Sequence, residues 1–149
     1  MKKVLVILIS LVSLALGGSM TGEMVGNAAI TGIPDRPVCQ FKGGSYEDVI
    51  VGAFILKSVL ADFNGDGFDE AAALICLGFK GGMVNAFFLA ILENQDGKVV
   101  CTRCTEVDIK IVQSVDYKDG SIEISGIKCG IDDPECCPRE NTVMEIAIK

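Results

Sequence analysis

The stretch Asp62-Phe63-Asn64-Gly65-Asp66-Gly67-Phe68-Asp69-Glu70 lies between two apolar runs, and its reading decides the fold. Oxygen-bearing side chains stand at alternate positions, Asp62, Asn64 and Asp66, and Gly67 permits the sharp turn that follows. One loop wraps a hard cation such as Ca2+ in this way. Counted from Asp62, a helix-loop-helix cation loop needs a bidentate glutamate at its twelfth position, where Ala73 stands instead. Glu70, at the ninth, is left to close the shell. The flanking runs read as strands, so the expected site is strand-loop-strand. Its predicted ligands are the side chains of Asp62, Asn64, Asp66 and Glu70 and the Phe68 carbonyl. Asp69 adds charge, either as a further ligand or as a partner for the loop backbone. The competing reading is a metal-free acidic turn in which Asp62 and Asn64 bond backbone amides. Against it, this many carboxyl and carboxamide groups in one short loop repel unless something neutralises them.

Upstream of the loop, residues 46–61 are apolar and β-branched, alternating at Val49, Val51 and Ala53 and again at Val59 and Ala61. Val49, Ala53, Leu56 and Leu60 also fall at helical spacing, so a helix is the second reading there. Downstream, residues 71–77 and 83–92 are continuous apolar runs around Phe79-Lys80-Gly81-Gly82, the pattern of a hairpin buried on both faces. Phe87 and Phe88 read as core of that hairpin before they read as a ligand pocket. Asn94-Gln95-Asp96-Gly97 and Lys118-Asp119-Gly120 are turn signals between strands at 98–107, 109–117 and 121–125. A short strand at 38–41 and a final one at 142–149 complete a mainly β chain. Local connections predict one antiparallel sheet domain, a sandwich or partial barrel, with room for one short helix.

The beginning, Met1-Lys2-Lys3 followed by apolar residues 4–16, reads as a signal peptide over residues 1–19. The apolar run is shorter than the ~20 residues a spanning helix needs. Residues 20–149 are then a single exported domain with a loose N-terminal arm reaching Pro37, whose latter part, Asn27 to Ile33, is expected to pack on the domain. No membrane span is expected after cleavage, and no cysteine follows the run to carry a lipid. The expected location is secreted or extracytoplasmic.

Without Lys2 and Lys3, 11 basic residues face 20 acidic ones, a net charge near −9. Such a chain repels nucleic acid and anionic lipid and attracts cations. Histidine is absent, which removes the commonest general base and the Ser-His and Cys-His nucleophile pairs. No residues pair up as a catalytic set, so a non-enzymatic protein is expected.

The chain has 7 cysteines, all beyond the expected leader. In an exported protein they are disulfide candidates first: Cys39, Cys101, Cys104, Cys129, Cys136 and Cys137. Cys76, deep in an apolar run, is expected to be a buried free thiol. Cys101-Thr102-Arg103-Cys104 has the spacing of a redox or zinc knuckle. However, Cys136 and Cys137 are adjacent, and no helix start is predicted to stabilise a thiolate. In a regular strand Cys101 and Cys104 would face opposite ways, so they pair elsewhere or flank a bulge.

Asp62, Asn64, Asp66 and Glu70 match the D-x-D/N-x-D-G-x-x-D/E pattern, and the loop resembles the calcium hairpins of FG-GAP and VCBS-type extracellular repeats. The wider chain is similar to a group of small exported prokaryotic proteins, often lipoproteins, with no established activity. That resemblance rests on Asn27-Ala28, Gly32-Ile33, Asp69-Glu70-Ala71-Ala72, Asn94-Gln95-Asp96-Gly97-Lys98 and Asp133-Pro134-Glu135-Cys136-Cys137-Pro138. The group usually has Gly-Gly-Ser-Gly where this chain has Gly81-Gly82-Met83, and Cys101, Cys104 and Cys129 depart from it too. The resemblance implies compartment and fold, and it transfers no catalytic residue. The combined expectation is an exported binding or structural domain with a Ca2+ site at 62–70. Its partner would be an unidentified extracellular protein or small ligand. Two alternatives stand beside it: a cell-envelope ligand-binding or inhibitor protein with a metal-free turn, and a cysteine-based zinc or redox protein.

Overall fold

The structure, a computed structural model, describes residues 18–80, 82, 84–130 and 138–148. Residues 1–17 of the expected leader and the Cys136-Cys137 pair lie outside them. The elements run α1 (Gly22–Gly26), β1 (Ala29–Ile30), β2 (Cys39–Gln40), β3 (Ser45–Glu47), β4 (Val51–Ala61), β5 (Glu70–Phe79) and β6 (Val84–Gln95). They continue with β7 (Lys98–Val107), β8 (Ile111–Lys118), β9 (Ser121–Lys128) and β10 (Glu140–Ala147). Among the described residues every strand pairing is antiparallel. The orders are β3-β4-β5-β6-β7 in a curled main sheet, β10-β9-β8 in a second sheet and β1-β2 in a small ribbon.

The expected mainly β, antiparallel domain is therefore present, and its helix is α1 alone among the described residues. Residues 46–61, which also fit a helix, form β3 and β4, because pairing with β5 satisfies the backbone and buries Val51 and Ala53.

At the centre, β5 is buried on both faces. Ala71, Ala73 and Ile75 pack with Phe88, Ala90 and Leu92 of β6 against the N-terminal arm. Ala72, Leu74 and Cys76 pack with Phe87, Leu89 and Ile91 against Ile122 and Ile124 of the second sheet. This is why both runs of the hairpin read as unbroken apolar sequence. Phe87 and Phe88 are core residues, as expected.

The arm packs over more of its length than expected. Ala28, Ile30 and Ile33, in the part expected to pack on the domain, are buried, and so are Met20 and Val25 before it, although the arm's apolar residues follow no period. They are the lid of one core cluster, and the curled sheet supplies the period that the arm lacks. Strand pairing Ala29↔Gln40 and the Phe41 N–H to Ala28 carbonyl bond hold the arm to the strand bearing Cys39.

The Asp-Gly turns behave as their chemistry dictates. Asp96 and Gly97 take φ of 53° and 83°, Asp119 and Gly120 49° and 84°, the left-handed pairs of tight hairpins. Two features are invisible to periodicity. The first is the strand break between β3 and β4. There Asp48 accepts the amides of Ile50 (2.7 Å) and Val51 (2.8 Å), the Tyr46 hydroxyl (3.2 Å) and the Arg36 Nε (3.1 Å). These bonds, the Val51 amide first, hold the Asp48 carboxyl at about 2, below its usual 3.8.

A depressed folded value means that the stabilisation is complete above the unfolded value and is lost as pH falls from 3.8 toward 2. Asp48→Ala is thus expected to lower the urea midpoint at pH 7. Its deficit against wild type should shrink between about pH 4 and pH 2. A deficit that is the same at both pH values would show that the carboxylate bonds contribute nothing.

The second feature is β9, which runs past the predicted end at Ser125 to Lys128, because Ile127 pairs with Ile111. Gly126 takes the inward position that continues Ile122 and Ile124.

Candidate metal-binding loop and its surroundings

The loop between β4 and β5 is organised by its own side chains. Asp62 Oδ1 accepts the amides of Gly65 (2.6 Å) and Asp66 (3.1 Å), and Oδ2 accepts that of Gly67 (2.9 Å). Asn64 Oδ1 accepts the Asp66 amide at 2.8 Å, and Asp66 Oδ1 accepts the Phe68 amide at 2.9 Å. These are Asx turns in series, which the alternating spacing permits. Gly67, at φ 90°, sits where a side chain would be strained.

Glu70 begins β5 and points back into the loop. Its Oε2 accepts the Phe63 amide at 2.7 Å and its Oε1 the Asn64 Nδ2 at 3.1 Å. It is the one buried charged residue among the described ones, at 6 % exposure. Burial pushes its carboxyl above the ordinary value, the Phe63 amide opposes that, and the Asp66 and Asp62 charges add to the rise.

Carboxylate oxygens of Asp62, Asp66 and Glu70 all lie within 4.8 Å of one another. Asn64 bridges two of these residues, donating also to Asp66 Oδ2 at 3.0 Å. Four of the expected ligand side chains are thus brought together. Phe68 lies next to them with its ring exposed. The backbone of Asp69 bonds outside the loop: its amide donates to Ser19 Oγ (3.3 Å) and its carbonyl accepts the Met20 amide (2.8 Å). It ties the arm to the loop, a role not expected of it.

Sequence reasoning missed what stands beside the loop. Glu93 of β6 and Thr102 and Arg103 of β7 share a cavity with Phe63, Asn64 and Glu70. No local signal marks them, because they reach the loop only through sheet pairing and the packing of the second sheet.

The cysteines meet expectation in part. Cys39, Cys101 and Cys104 carry free thiols in the structure, so the disulfides expected at them are not formed here. Cys76 is a buried free thiol, as expected. The register changes from Ile91↔Arg103 to Leu92↔Cys101, which places a bulge at Thr102. The extra residue turns Cys101 and Cys104 to the same face, both toward the cluster that holds Cys39. Cys101 Sγ lies 3.6 Å from the Thr31 carbonyl. Burial and the two neighbouring thiols push the Cys104 thiol up to about 12, the opposite of an activated thiolate. Cys129 is half-buried at the end of β9.

Among the described residues, no helix is long and apolar enough to cross a membrane. Comparison of the chain with protein families, curated proteins and solved structures finds no match.

Proposed function

We propose that this protein is an exported, non-enzymatic binding or structural domain whose 62–70 loop takes Ca2+. The observation that carries the reading is the convergence of Asp62, Asp66 and Glu70 oxygens within 4.8 Å. An all-oxygen donor set on a short loop suits a hard divalent ion of flexible coordination. Asp62, Asp66 and Glu70 would supply carboxylates and Phe68 a carbonyl, while rotation of the Asn64 amide turns its oxygen inward. The backbone bonds to Asp62 leave room for this at one oxygen: Oδ1 already accepts two amides, but Oδ2 accepts only that of Gly67 and keeps a second lone pair. The ion would neutralise a buried carboxylate and clamp β4 to β5. Export rests on the leader reading of residues 1–19, and the absence of histidine supports a role other than catalysis.

One substitution separates this reading from its rival, a metal-free turn in a ligand-binding or inhibitor protein. The rival is favoured by how completely the loop's polar groups satisfy one another. Glu70→Gln removes a ligand charge but keeps the shape. If Ca2+ binds, terbium luminescence and calcium titration will show at least tenfold weaker binding, against an extracellular-type Kd of roughly 0.1–1 mM for wild type. Without calcium two effects oppose in this variant: it is spared the cost of ionising a carboxyl whose folded value is raised, but its amide nitrogen cannot accept the bond of Phe63 or Asn64, so its stability should lie within about 1 kcal/mol of wild type. No binding by wild type at several millimolar calcium sinks the metal reading.

A further inference from the structure

The cavity behind the loop has a composition that the metal reading does not use. It measures about 460 Å3 and is lined by Phe63, Ile91 and Ile148 on its apolar side. Glu70, Glu93, Thr102, Arg103 and Asn64 line the rest. That volume falls in the range of small-molecule pockets, which join apolar walls to a few convergent polar groups. The Arg103 guanidinium spends one N–H on the Ala147 carbonyl, at 2.7 Å. Among the described residues no carboxylate forms an ion pair with it, although two carboxylates line the same cavity. A guanidinium has five N–H donors in a planar fork that suits a carboxylate. Glu93, whose Oε2 accepts from Gln95 Nε2 at 3.1 Å, offers its other oxygen to a cation.

We propose that this cavity binds an apolar α-amino acid as its zwitterion. The ligand carboxylate meets Arg103, its ammonium meets Glu93, and its side chain packs on Phe63, Ile91 and Ile148. A free anion is disfavoured by Glu70 and Glu93, and a plain hydrocarbon leaves Arg103 and Glu93 unpaired when it excludes water. A zwitterion matches both signs and the apolar wall together. The site goes beyond the metal reading and stands whether or not the loop takes calcium. Because Glu70 and Asn64 belong to both, calcium that draws their oxygens into the loop is expected to change affinity by a few-fold only.

The test uses the full-length protein titrated with leucine by calorimetry and amide NMR, with and without calcium. Saturable binding with shifts at Phe63, Arg103 and Ile148 is the expected result. Leucinamide, which lacks the carboxylate, and N-acetylleucine, which lacks the ammonium, should each bind at least tenfold more weakly, as should glycine. Arg103→Met should cause a similar loss. Since that variant also loses the bond to Ala147, the ligand series carries the test if the variant fails to fold. Absence of binding at 10-millimolar-order leucine, or equal binding of leucine and leucinamide, overturns the proposal. Terbium binding with no leucine binding would leave the metal reading standing and remove this one.

Discussion

Asp62→Ala is expected to abolish calcium binding and to lower stability by about 2 kcal/mol even without calcium. The two effects have one cause. Asp62 is the only side chain of the loop that accepts three backbone amides, those of Gly65, Asp66 and Gly67. It closes the turn that carries Asn64 and Asp66 toward Glu70. Removing it leaves those amides to water and frees the loop, so the remaining ligands lose their preorganisation as well as one carboxylate. Urea denaturation with chelator present measures the first effect, and terbium luminescence the second. A variant as stable as wild type in chelator would show that the Asx turns do not hold the loop. A variant that still binds terbium at wild-type affinity would remove Asp62 from the ligand set. Asp66→Ala makes the contrast, since Asp66 accepts only the Phe68 amide and the Asn64 Nδ2. It should lose binding with the smaller loss of stability.

Gly126→Ala should destabilise the protein by about 3 kcal/mol or more, with calcium or without. A Cβ there would overlap the carbonyl oxygen of Ile111 and lie 2.7 Å from Ile109 Cγ2. The first contact is backbone and cannot rotate away. The chain leaves β7 at Val107, turns through the Ile109 amide bond to the Val107 carbonyl (2.9 Å), and enters β8 across the face of β9. Ile109 is buried in the space that a side chain at 126 would otherwise fill. Accommodating even a methyl group means lifting the start of β8 from β9 or expelling Ile109 from the core. Thermal and urea unfolding measure the loss. A penalty below about 1 kcal/mol, the ordinary range for a tolerated strand glycine substitution, would show that the crossing is looser than described.

These two positions show how unevenly the molecule can be read from its residues. The bonds of Asp62 are all to residues within five of it, and the D-x-N-x-D-G spacing makes them legible. The same holds for the Asp96-Gly97 and Asp119-Gly120 hairpins, whose positive φ values follow from local chemistry. Gly126 is different. It reads as the end of a strand, because glycine breaks the Ile122, Ile124 alternation. Only the return of Ile109 onto β9 shows that the strand continues and that the missing side chain is required.

The cysteines teach a similar lesson. The Cys101 to Cys104 spacing left two options, partners elsewhere or a bulge, and the register change opposite Ile91 and Leu92 decides for a bulge. The arm is a third case. Its residues 27–33 read as packing on the domain, but without a period nothing local announces that Met20 and Val25 join Ala28, Ile30 and Ile33 as the cover of a core.

The sequence by itself determined the β class, the hairpins β5-β6, β6-β7 and β8-β9, the acidic glycine-broken turn between two strands and the buried character of residues 71–76 and 87–92. These depend on interactions between near neighbours and on side-chain alternation, both of which are written in spacing. The tertiary structure alone decided which element covers each face of β5, that Arg103 and Glu93 meet the loop, and that Gly126 admits the chain crossing. Those contacts join residues far apart in sequence. They are set by how the curled sheet, the arm and the second sheet share buried volume, and no window of sequence contains that quantity.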